Sequence, residues 1–264
     1  MNFCGERSNV GLKKAVDWAA WALILLCAAA LVQNLTLRHL EKSFVAQLSG
    51  RLEEDKSLAH PDSCVAFVQI VANTILESTK GRMGVSPVIQ NSRAFPLSPT
   101  LSMAVFGQGA CGNISLLTIE VFESLGIEMK AVQLLNTEGE TMHVIVEAQM
   151  DCGTVFIDPL YAWVYQDEGK AIPKEELMSQ WTALTNGAPR GLKRYFIGEN
   201  LRYTNWSALG IFSGPSKNLV SIFIGAEHLD EFSLRNVMPG FYETRILFFA
   251  LVLLIIIVAR IKLS

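Results

Sequence analysis

Two uncharged apolar runs, one near each end of the chain, restrict what this sequence can fold into more than any other feature. Trp18 to Leu37 is 20 residues without a charge, and Ile246 to Ala259 is 14. At 1.5 Å per helical residue these extend about 30 Å and about 21 Å, against a bilayer core of about 30 Å. The second run is short, but ILFFALVLLIIIVA is apolar on every helical face. A helix in a soluble core normally keeps one polar face. Arg245, Arg260 and Lys262 stand where their charges can snorkel to the interfaces, and Phe241 and Tyr242 fit an aromatic belt. Both runs are read as transmembrane helices, over 18–37 and 244–261.

Separating the ends changes the charge balance. Residues 37 to 243 carry 16 basic and 23 acidic side chains, net −7, while the whole chain is only −3. An acidic middle of this kind is a poor binder of anionic lipid and of nucleic acid, and nucleic acid recedes as a partner. Two spans put both termini on one side. Arg260 and Lys262 on a short tail, with Arg7, Lys13 and Lys14 on a short arm, place the termini in the cytoplasm by the positive-inside rule. The expected protein is therefore an integral membrane protein of a bacterial inner membrane type, held in the lipid bilayer by two spans, with its main domain outside the cytoplasm. A cleaved signal peptide ending at Ala28, Ala29 and Ala30 is the alternative for the first run, but the uncharged stretch continues for seven residues beyond it. A mature chain beginning near Leu31 would remove the two-span reading.

The expected organisation is a cytoplasmic arm (1–17), the first span, a membrane-proximal helical region (38–106), a core (107–160), the remainder of the domain (161–243), the second span and a tail (262–264). Leu37, Leu40, Phe44, Leu48 and Leu52 predict that the first helix runs on from the membrane, with Gly50 weakening its end. Val65, Ile70, Val71, Ile75 and Leu76 predict a second helix, started by Pro61 and stopped at Gly81. Residues 82 to 107, with three prolines, read as a loop holding a short helix after Ser98. Next, Ile114, Leu117, Ile119, Val121, Phe122 and Leu125 predict a helix from about Cys111 to Gly126. Three strands follow near 129–135, 142–149 and 154–158, an antiparallel meander with turns at Asn136 to Glu140 and Asp151 to Gly153. Past Leu160 the pattern weakens to a short helix over 174–184, with Trp163, Trp181 and Trp206 as core or cleft-wall aromatics. The fold class is α+β.

Cys111 falls at the N-terminal end of its helix, framed by Gly107, Gly109 and Gly112. Unpaired N–H groups and the positive end of the dipole stabilise a thiolate there. On the second strand His143, Ile145 and Glu147 share a face, and on the third Phe156 and Asp158 do. If Asp151 and Cys152 form a two-residue turn, Ile145 lies opposite Asp158 and His143 is its diagonal neighbour; a wider turn puts His143 directly opposite. Either register brings an imidazole beside a carboxylate. A thiol nucleophile needs a base to accept its proton and a carboxylate to orient that base. Glu147 is expected to be solvated or to face substrate.

Gly109, Ala110, Cys111 and Gly112 opening a helix, then Leu125, Gly126 and Ile127, then His143, then Ile157, Asp158 and Pro159, resemble the core of the transglutaminase-like superfamily of papain-related cysteine enzymes. The resemblance covers about 50 residues. It implies a catalytic helix packed on an antiparallel sheet, and a Cys-His-Asp triad with Cys111 as nucleophile, His143 as general base and then acid, and Asp158 as orienting group. The chemistry implied is acyl transfer or amide hydrolysis through a thioester, without a cofactor or metal. Lys130 stands where many members have arginine, and Val144 and Ile145 replace the small residue and aromatic often found after the histidine. For the oxyanion, the backbone N–H of Cys111 is one donor and the side chain of Gln108 a candidate second.

Of the remaining cysteines, Cys64 and Cys152 are one possible pair, but spacing does not establish it and two inert buried cysteines is the favoured reading. Gly210 to Gly214 has its serine one place late for a nucleophile elbow. Glu227, His228, Asp230 and Glu231 lack the spacing of a zinc set and read as a solvated helix start. Asn34, Asn113 and Asn205 fit the glycosylation triplet, two of them inside predicted helices. Two functions are therefore expected to compete. One is a membrane-anchored thiol enzyme acting on a protein or peptide of the cell envelope. The other is a catalytically idle module of the same fold, serving assembly in a secretion or polysaccharide-export complex whose partners are unknown.

Overall fold

A computed structural model describes residues 6–54, 64–80, 111–136, 138, 141–189, 192, 201–234 and 241–263. The chain divides into two units, 1–42 with 239–264 and 43–238. The first holds most of the apolar helical sequence. Helix α1 (Glu6–Glu54) is continuous from the N-terminal arm past the first apolar run, and the last helix (Phe241–Leu263) contains the second. Both are long and apolar enough to cross a membrane. Within this unit the helices are joined by ion pairs at both ends of the apolar stretch: Arg38 with Glu243, and Asp17 with Arg260 at 3.6 Å. The Arg260 guanidinium also lies over the Trp21 ring, 4.2 Å from its centroid. Asn34 is buried, its Nδ2 donating to the Ala30 carbonyl at 2.6 Å, so it is no glycan acceptor in this state.

The second unit is α+β. After the last turns of α1 come α2 (Cys64–Lys80), α3 (Cys111–Ser124), β1 (Glu128–Leu135), β2 (Thr141–Met150), β3 (Gly153–Asp158), β4 (Trp163–Asp167) and β5 (Lys170–Ala171). Two short helices, α4 (Lys174–Ser179) and α5 (Trp181–Leu184), take the place of the single one expected over 174–184. Then come β6 (Leu201–Arg202), a 3-10 turn over Trp206–Phe212 and α6 (Ser213–Ile224); the last helix of the first unit, Phe241–Leu263, is α7. The strands form one antiparallel sheet in the order β5-β4-β3-β2-β1-β6. The expected start of α2 at Pro61, the loop over 82–107, and Gly107, Gln108, Gly109 and Ala110 lie outside the described residues.

The predicted helix end is made by Gly126, whose φ of 80° suits the left-handed residue after a helix. Its N–H donates to the Glu123 carbonyl, and the Ile127 N–H reaches back to Phe122, both at 3.0 Å, closing the last carbonyls of α3. That stop turns the chain directly into β1. Both sheet faces are covered. Met129, Ala131, Val146, Ala148, Val155 and Ile157 pack against α2, α3 and the end of α1. Val132, Leu134, Ile145, Phe156 and Tyr165 pack against Leu177, Leu184, Leu192 and Tyr203 from the later chain. A sheet sandwiched in this way needs apolar residues on both faces, which explains the nearly unbroken run Val144, Ile145, Val146 in β2.

Cys64 and Cys152 form a disulfide, Cα to Cα 6.2 Å, which corrects the reading of both as inert thiols. It ties the first residue of α2 to the β2–β3 turn across 88 residues of sequence. Closing so long a loop in the unfolded chain stabilises the fold, typically by about 2–4 kcal/mol. Replacing both cysteines by serine should lower the melting temperature by several degrees without a change in secondary structure. An unchanged melting temperature, or five free thiols in place of three titrated in the denatured wild-type protein, would reject the bond.

Candidate active site

Three elements converge on one point of β2. The β2–β3 hairpin closes through Asp151 and Cys152 and pairs Val146 with Ile157, so the narrow-turn register holds and His143 is the diagonal neighbour of Asp158. The last ladder pair is Val146 with Ile157, and the edge of β2 beyond it is open to another partner. The first turn of α3 fills that place. Ser115 Oγ donates to the Val144 carbonyl at 3.2 Å and to the Cys111 carbonyl at 2.8 Å, while the Val144 backbone hydrogen-bonds the Cys111 sulfur. A helix on one face of the sheet thereby delivers its first side chain to a histidine on the other face.

His143 Nε2 lies 2.6 Å from Asp158 Oδ2, and both side chains are sealed from solvent. The second carboxylate oxygen accepts the Leu160 N–H at 3.0 Å, an Asx-type turn that the sequence Asp-Pro-Leu favours. Asp158 is thus held at both oxygens. With Nε2 committed to Asp158, Nδ1 is the nitrogen left to face Cys111, and thiol and imidazole lie close enough for each to shift the other's ionisation. Cys111 itself is partly exposed, whereas His143 and Asp158 are buried. The Tyr161 ring stands beside the imidazole at 6.3 Å between centroids.

The electrostatics are those of a coupled acid and base. Burial acts to raise the Cys111 pKa. The hydrogen bond and charge of His143, with the backbone of Val144, outweigh burial and a smaller push from Asp158, and hold the thiol below its ordinary value. Burial acts to lower the His143 pKa. Here the hydrogen bond to the Asp158 carboxylate, the interaction with Cys111 and the charges of both win, raising it to about 9. Each partner therefore stabilises the ionised form of the other, and α3 has no acidic side chain in its first turn to oppose the thiolate.

The structure brings Cys111, His143 and Asp158 together. Gln108 lies outside the described residues. Glu147 is buried at 5% exposure, neither solvated nor facing a cleft: Tyr203 donates to its Oε2 and Gln149 Nε2 to its Oε1 at 2.7 Å. Its cover comes from Tyr203, just past β6 and 56 residues further on, beyond the reach of local pattern. Lys130 is not at the thiol. It lies 3.9 Å from Glu128 and lines a cleft of about 470 Å³ with Glu123, His228 and Glu231, beside the opposite end of α3. His228 sits in an exposed 3-10 turn, and Glu231 pairs with Lys174 at 3.1 Å, so the expected helix start is a turn after α6 instead. Among the described residues no group of three or more His, Cys, Asp or Glu is placed to hold a metal ion.

Sequence reasoning passed over Ser115 and Tyr161. Ser115 had a signal, a small hydroxyl four residues after Cys111 on the same helix face, where it can bridge the first turn to a neighbouring strand. Tyr161 had none, because its approach to His143 depends on the turn after Pro159. Compared with known proteins, the chain matches no family model, no curated protein and no solved structure.

Proposed function

We propose that this chain is a membrane-anchored thiol enzyme with a papain-like, transglutaminase-like core, catalysing acyl transfer or amide hydrolysis on a protein or peptide outside the cytoplasm. The observation that carries the reading is the line from a partly exposed Cys111 at a helix start, through His143, to an Asp158 held at both oxygens. In this reaction the Cys111 thiolate attacks the amide carbonyl carbon, His143 gives its proton to the leaving amine, and a Cys111 thioester remains. His143 then takes a proton from water or an acceptor amine as that nucleophile attacks the thioester, which expels the Cys111 thiolate and restores the thiolate–imidazolium pair. Asp158 keeps the imidazole oriented and favours its charged form.

Two further observations support the location. The Asp17 and Arg38 ends of the first span are 21 residues apart, and Glu243 and Arg260 are 17 apart, so their ion pairs bracket a slab of about 26–32 Å, close to a bilayer core. The Cys64–Cys152 disulfide fits an oxidising compartment for the domain, consistent with cytoplasmic termini.

The test is a pair of measurements on Cys111→Ala. The variant should fail to restore the phenotype of a deletion strain while accumulating in the membrane at wild-type level. Incubation of the purified wild type with an activated acyl ester should add one acyl mass at Cys111. Full restoration by Cys111→Ala would instead favour the assembly module.

A further inference from the structure

Helix α6 and the turn before it present an apolar stripe to solvent. Ile211, Phe212, Leu219, Ile222 and Phe223 are all exposed, the last two at 77% and 80%, and no residue of α6 is fully buried. At 100° per residue, Leu219, Ile222 and Phe223 fall within one arc of about 100°, while Val220 and Ile224, half-buried, form the adjoining flank and Ile224 lines the cleft beside β1. Lys217 lies on the opposite, polar side. A stripe of large aliphatic and phenyl side chains in water is unfavourable unless something covers it.

We infer that α6 lies in the headgroup boundary of the bilayer as a third, non-spanning membrane contact of this domain. The inference rests on the membrane-anchored reading above. Three observations select lipid as the occupant. The domain follows one helix long and apolar enough to cross a membrane and precedes another, and only residues 225–240 separate α6 from the second, a tether of at most about 55 Å. The stretch from Ile211 to Ile224 has no acidic side chain, in a domain of net charge −7, and its single charge is Lys217. Such a stretch can approach an anionic surface that the rest of the domain repels. The exposed set also contains no Tyr, Trp or Arg, the residues that anchor protein interfaces, and consists of the Leu, Ile and Phe that insert at a membrane surface.

The consequence is orientation. A lipid contact at α6, added to the two spans, limits which faces of the domain are offered to a substrate in the envelope. Full-length protein carrying p-benzoyl-phenylalanine in place of Ile222, or of Leu251 in α7, would be placed in vesicles of phosphatidylethanolamine and phosphatidylglycerol and irradiated. Intact mass should show the gain of one phospholipid from both positions, in comparable yield. A lipid adduct at Leu251 with none at Ile222, or with Ile222 cross-linked to protein, overturns the α6 contact while leaving the anchor standing. Loss of the adduct at both positions overturns the anchor and the contact together.

Discussion

Iodoacetamide should alkylate Cys111 at pH 7 roughly ten- to thirty-fold faster in the wild-type protein than in His143→Ala. The size follows from ionisation. An ordinary thiol with a pKa near 8.5 is only a few per cent thiolate at pH 7, on the order of one part in thirty. The His143 interactions hold Cys111 below its ordinary value against the burial that raises it. Removing the imidazole leaves burial unopposed by its largest counterweight, so the thiol of His143→Ala should titrate at or above the usual position. Part of the gain is returned because a less basic thiolate is a weaker nucleophile, which is why the full ratio of thiolate fractions is not expected.

The pH profile carries more information than the single rate. In the wild type, reactivity should fall on the acid side as the depressed thiol pKa is crossed and stay nearly level up to about 9, where His143 loses its proton. In His143→Ala the rate should still be climbing at pH 8.5. In Cys111→Ala the label on the Cys111 peptide should be absent, read by peptide mapping so that it is separated from any label on Cys4 or Cys27. Equal profiles for the wild type and His143→Ala would remove the activated thiol, and the proposed chemistry with it.

The site was legible in the sequence because its parts sit on regular elements separated by strong turn residues. Between Cys111 and Asp158 the apolar period changes from helical to alternating at Gly126, and the observed elements begin and end within a residue or two of the expected ones. The pairing of His143 with Asp158 depended on the length of one turn, and Asp151 with Cys152 supplied the shorter choice. Past Leu160 the same method had little to act on. Strands β5 and β6 have two residues each, too few for any period, and they pair with segments far away in the chain. The second core is built from that region, through Leu177, Leu192 and Tyr203. A reader who cannot place Tyr203 has no reason to bury Glu147. The disulfide has the same character: 88 residues of sequence say nothing about whether two cysteines meet.

Asp158→Asn should cost on the order of 10³–10⁴ in turnover, with the fold retained, because the amide keeps the shape but not the charge. Its oxygen can still accept the Leu160 N–H that Asp158 now takes at 3.0 Å. What is lost is the anionic partner 2.6 Å from His143 Nε2. Burial alone lowers the pKa of this imidazole, and the Asp158 hydrogen bond is the largest effect raising it to about 9. Without the carboxylate, His143 should be neutral at pH 7, and the Cys111 thiolate should lose its counterion. The stability consequence has a definite sign. A histidine whose pKa is about 9 in the folded protein and about 6.5 unfolded contributes stability that is fully present below pH 6.5 and is lost as pH rises through 9. For a shift of this size that contribution is on the order of 3 kcal/mol. The melting temperatures of the wild type and Asp158→Asn should therefore differ most near pH 6 and converge above pH 9, and nuclear magnetic resonance of His143 should show an imidazolium at pH 7 in the wild type alone. Parallel melting curves across that range, with His143 titrating identically in both proteins, would mean that Asp158 acts through shape alone and that no charge-coupled triad exists here.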